Sequence, residues 1–124
     1  MKNIFKFWLP LLAWCSLIFI LSSIPNLKTD LGGWDLILRK IAHITEYAIL
    51  YLLTLRAFDN TGPQQHGRKT ILAAFIFAVL YACSDEFHQS FVPGRGPSVI
   101  DVGIDSIGVT AGYFINKHLL KRKI

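Results

Sequence analysis

From Phe7 to Ile24 the chain carries no charged residue. Extended back to Ile4, this run would make a helix roughly 30 Å long at about 1.5 Å per residue, which matches the hydrocarbon core of a bilayer. Backbone placed at that depth must satisfy its own polar groups, so the chain is restricted to helices or a closed barrel. The composition agrees with lipid as the solvent. Of 124 residues, 52% are hydrophobic and 17% charged, against about 25% charged in soluble domains. Such a chain is too apolar for disorder, and its two Cys are too few for a disulfide-stapled scaffold.

Three more apolar stretches follow, at residues 36–55, 71–87 and 101–120. The length predicts one domain over residues 1–124. The pattern predicts an all-α polytopic membrane protein, four transmembrane helices in a compact bundle. Pro10 is expected to kink the first helix or to mark its start. Lys2 and Lys6 before an apolar run, with Ser22 and Ser23 after it, also fit a cleavable signal peptide. Three apolar stretches would remain after cleavage, so the membrane reading holds either way. Residues 57–67 read as a turn-rich loop, and Cys15 and Cys83 as apolar packing residues.

The net charge is +5, but the basic residues sit between apolar segments instead of along one stripe, which argues against nucleic acid as a partner. Cytoplasmic loops of membrane proteins carry excess Lys and Arg. Lys2, Lys6, Arg56, Arg68, Lys69, Lys117, Lys121, Arg122 and Lys123 account for nine of the thirteen basic residues and fall on three alternate segments. Lys28, Arg39, Lys40 and Arg95 occupy the other side. This asymmetry predicts that both termini and residues 57–70 are cytoplasmic (N-in/C-in), with residues 22–35 and 88–100 outside.

Under that topology the polar residues converge. Lys40, His43, Glu46 and Tyr47 fall in the outer half of the second helix. Asp85, Glu86, His88 and Gln89 end the third, Asp101 and Asp105 begin the fourth, and Arg95 lies in the loop between. Residues three and four apart share a helical face. Lys40, His43 and Tyr47 form one such set, and Asp101, Asp105, Gly108 and Gly112 another. The two glycines make a small-xxx-small step that lets a neighbouring helix approach closely. Ionisable groups cost about 3 kcal/mol each at the centre of a membrane. Lys40 and Arg95 could simply pair with carboxylates and hold the bundle together. The carboxylates outnumber what two cations require, however, and the surplus points to a bound cation, a proton site or a ligand with donors. Pro93-Gly94 and Gly96-Pro97 suit a tight loop that presents Arg95, a residue fitted to carboxylate or phosphate.

Lys40-x-x-His43-x-x-Glu46-Tyr47, then Asp85-Glu86-x-x-Gln89-x-Phe91-x-Pro93-Gly94-Arg95, then Asp101 and Gly108 resemble the VanZ-like family, and Ser22-Ser23-Ile24-Pro25 also fits it. The resemblance covers nearly the whole chain. It implies a small multi-pass protein of the bacterial cytoplasmic membrane, in a family whose name-giving member is associated with resistance to the glycopeptide teicoplanin. The chain departs from the family pattern at Asp105, where Asn is usual.

Three classes of function compete. In the first, the outward cluster binds or modifies an envelope lipid or a lipid-linked cell-wall precursor, with glycopeptide tolerance as an expected consequence. Lys40 and Arg95 would hold an anionic head, while Glu46, Asp85, Asp101 and Asp105 accept hydrogen bonds or position a cation. In the second, the protein is a membrane-embedded hydrolase or transferase. His43 would be a general base oriented by Glu46, and a divalent metal would draw its ligands from Asp85, Asp101, Asp105, His43 and Glu46. No standard metal motif is present. In the third, the chain is a small transporter, working as a homo-oligomer; the apolar inner halves of the third and fourth stretches count against it.

Overall fold

The computed structural model of the chain describes residues 2–23, 33–61, 67–92 and 99–120. The described residues form four α-helices and no strand: α1 (Lys2–Ser23), α2 (Gly33–Thr61), α3 (Arg68–Gln89) and α4 (Val99–Ile115), with a π-helical turn over Asn116–Leu120. Stretches within α1, α2 and α3 (Phe5–Ser23, Ile37–Asn60 and Arg68–Gln89) are long and apolar enough to cross a membrane. Helix α4 has 17 residues, about 26 Å, which falls short of a ~30 Å hydrocarbon core.

Two boundaries differ from those read in the sequence. Helix α1 starts at Lys2 and runs through Pro10. A proline removes one intrahelical hydrogen bond, but abandoning the helix at membrane depth would expose several unpaired groups. Helix α2 continues to Thr61, so residues 57–61 are helix and not loop. Ala57 is fully buried and the Phe58 ring lies 5.7 Å from that of Trp8. This packing outweighs the turn preference of Asp59 and Asn60. The Asn60 side chain donates back to the Arg56 carbonyl within the same helix.

Helix α2 packs against all three other helices. Leu11 and Ile18 of α1, Tyr47, Leu50, Tyr51 and Leu55 of α2, and Val109 of α4 form the core with three alanines of α3. Those alanines, Ala74, Ala78 and Ala82, repeat every four residues and keep one face of α3 flat. The approach of α4 to α2 is closer still. A Cβ on Gly108 would collide with the Ile44 carbonyl oxygen, and one on Gly112 would lie 2.8 Å from that of Ala48. Small residues are how helices without a hydrophobic driving force gain contact in lipid. Leu9, Leu12, Phe19, Ile20, Leu72, Ile76, Leu80 and Ile107 face outward, as an apolar solvent allows. Cys15 packs against the core, whereas Cys83 is exposed, so only the first is a packing residue within the chain.

Candidate functional site

Helices α1 and α3 end where α2 and α4 begin, and polar side chains from all four meet there. One of these groups is Asp85 of α3, which is buried. Its Oδ1 accepts from the Ser22 hydroxyl of α1, and its Oδ2 accepts from the Tyr47 hydroxyl of α2 at 3.2 Å. A buried carboxylate is stable only when its lone pairs are met, and here two hydroxyls from two other helices meet them.

The next layer is a pair between α2 and α4. His43 Nδ1 lies 2.8 Å from Oδ1 of Asp105, whose side chain is fully buried. Against a carboxylate, Nδ1 is the donor; Nε2 is then the nitrogen able to accept a proton. Oδ2 of Asp105 has no hydrogen-bond partner among the described residues. The sequence suggests Glu46 as the carboxylate beside His43; the structure places Asp105 at hydrogen-bond distance from it. Glu46 is three residues from His43 on the same helix, but the facing helix supplies the carboxylate at bonding distance.

Beside these layers lies a cavity of about 240 Å³, lined by Leu21, Ser22, Arg39, Lys40, Ala42, His43, Glu46, Gln89, Asp101 and Ile104. Every helix contributes. Gln89 is 3% exposed, and its Nε2 has no partner among the described residues. Helix α1 is tied to the site by Trp14 Nε1, which donates to the Glu46 carbonyl at 2.9 Å, and by Ser23 Oγ, 3.3 Å from His88 Nε2.

Of the residues singled out in the sequence, Lys40, His43, Glu46, Gln89 and Asp101 line the cavity, while Tyr47, Asp85 and Asp105 form the buried layers beside it. Glu86 is buried on α3 but is not part of the lining. Arg95 lies outside the described residues. Arg39 and Ser22 were not among the candidates. Arg39 was legible: Arg39, Ala42, His43 and Glu46 stand at i, i+3, i+4 and i+7, one helical stripe. Ser22 had only its place in the Ser22-Ser23-Ile24-Pro25 pattern. The five candidate metal ligands do not converge as one site. Among the described residues no group of three or more His, Cys, Asp or Glu side chains is placed to hold a metal ion. Asp85 is engaged by two hydroxyls and Asp105 by His43.

A family model described as VanZ/LLP1 matches residues 7–121. The chain belongs to the VanZ/LLP1 family. The match spans every residue that lines the cavity of this VanZ/LLP1 chain. No curated protein and no solved structure matches it.

Proposed function

We propose that this VanZ/LLP1 protein is a multi-pass protein of the bacterial cytoplasmic membrane, with four membrane-crossing helices and both termini inside, whose outward cavity binds the polar head of an envelope lipid or of a lipid-linked cell-wall precursor. The observation that carries the reading is the cavity itself. All four helices line it, and it brings cations, carboxylates, a hydroxyl and an amide into the end of an otherwise apolar bundle. Its volume of about 240 Å³ lies below the roughly 300–1,000 Å³ of pockets for drug-sized ligands. A lipid head, or the lipid-proximal part of a larger precursor, suits that size; a whole glycopeptide does not. Teicoplanin tolerance would therefore arise through the bound lipid and not through capture of the drug. Arg39 and Lys40 supply charge for phosphate, and the outward apolar faces suit acyl chains.

A second reading rests on His43 and Asp105. An imidazole held by a carboxylate through Nδ1 and facing a cavity is arranged as a general base, so a bound head group could also be modified.

Native mass spectrometry of the detergent-released protein tests the binding reading. Wild-type protein should carry phosphate-bearing lipid, and Lys40→Ala should lose it while remaining folded. Wild-type protein bare of lipid, and bare again after incubation with phospholipid micelles, would contradict it.

A further inference from the structure

Among the described lining residues Ser22 alone carries a hydroxyl. It stands in the last turn of α1, and its Oγ donates to Oδ1 of Asp85 on α3. The other oxygen of that carboxylate accepts from the Tyr47 hydroxyl, which keeps Oδ1 turned toward the serine. A serine is a weak nucleophile until a base takes its proton, and here a carboxylate already holds that proton. Gln89 follows Asp85 by four residues, on the same face of α3. It too lines the cavity and is buried, and its Nε2 has no acceptor among the described residues. A fixed amide donor beside a hydroxyl held by a base is what a tetrahedral oxyanion requires.

We infer that Ser22 is the nucleophile of an acyl-transfer site whose substrate is the carboxylic ester of a glycerophospholipid. This rests on the lipid-head reading above and adds a covalent step to it. Tyr47, joined to Ser22 through Asp85, lies seven residues beyond Lys40, roughly 10 Å further along α2. The His43–Asp105 bond sets α2 and α4 in register, so Arg39 and Lys40 share a level with Asp101, two cations with one carboxylate. The surplus positive charge there suits the phosphate, and the ester, which is nearer the acyl chains, then falls at Ser22. A phosphoryl group at Ser22 itself would set its charge against Asp85, whereas an ester carbonyl is neutral until attacked. Ser22 Oγ bonds to the carbonyl carbon as its proton passes to Oδ1 of Asp85, and the carbonyl oxygen becomes an oxyanion that accepts from Gln89 Nε2. Collapse breaks the bond to the glycerol oxygen, which takes the proton from Asp85 and leaves as the lysolipid alcohol. Water then attacks the acyl-serine and gives a proton to Asp85; release of the fatty acid returns that proton to Ser22.

The test is an alkyl fluorophosphonate, which forms a covalent adduct on activated serines. Full-length protein in detergent is first read for bound lipid by native mass spectrometry, then treated with the probe in molar excess, and the adduct is mapped by peptide mass spectrometry. Wild-type protein should carry the adduct on Ser22, and Ser22→Ala should carry none. Asp85→Asn should slow labelling by about 100-fold, the low end of what a general base contributes. Phosphatidylglycerol given to the wild type should yield lysolipid and free fatty acid. The wild-type map decides even if neither variant folds. Lipid bound with Ser22 unmodified overturns this inference and leaves lipid binding standing. Neither lipid nor adduct overturns both.

Discussion

Nδ1 of His43 and Oδ1 of Asp105 stand 2.8 Å apart and join α2 to α4 at the level of the cavity. An amide oxygen can still accept from Nδ1, whereas alanine cannot. Asp105→Ala should therefore lower the unfolding free energy by about 1–3 kcal/mol, the cost of a lost bond to a charged group plus an unpaired partner. Asp105→Asn should stay within about 1 kcal/mol of wild type. Unfolding in mixed micelles by titration with a denaturing detergent measures both. Equal stability of the alanine variant and wild type would show that the pair does not tie the helices.

The α2–α4 contact should be intolerant of side chains at two glycines and tolerant at a third. A Cβ at Gly108 or Gly112 meets backbone of Ile44 or Ala48, which cannot swing aside, while Gly103 has nothing within 4 Å. Gly108→Val should lose most folded protein, by the overpacking route that costs about 1–3 kcal/mol or more. Gly103→Ala should be neutral or stabilise by up to about 1 kcal/mol through helix propensity. Thermal unfolding of the two variants side by side checks the contrast, and a Gly108→Val protein as stable as wild type would refute the close approach.

The helices were legible in the sequence because a bilayer demands long apolar runs. Their ends were less so. The extension of α2 through Asp59 and Asn60 depends on Phe58 meeting Trp8, a contact no local pattern encodes. The convergence of Lys40, His43, Glu46, Gln89 and Asp101 on one cavity followed from alternating helix direction. The partner of His43 did not, because spacing along α2 points to Glu46 while the register between α2 and α4 selects Asp105. Arg39 is legible only on a second stripe, through His43 and Glu46, that is offset from the Lys40–His43–Tyr47 face.

Orientation rests on nine basic residues falling on three alternate segments. If those segments are cytoplasmic, a cysteine introduced as Gln65→Cys in a background with Cys15 and Cys83 replaced should react with a membrane-impermeant maleimide only after the cells are opened. Labelling in intact cells would reverse the topology and turn the cavity toward the cytoplasm.

The most direct measurement fills the cavity without touching its charged groups. Ala42 lines the space, and Ala42→Trp places an indole in it. Wild-type and variant protein, purified identically and matched in thermal stability, would be compared for co-purified phospholipid by native mass spectrometry. The account predicts a stoichiometric lipid on the wild type and its loss from the variant. The same lipid held equally by both would contradict it, because the lipid would then sit on the apolar exterior and not in the cavity.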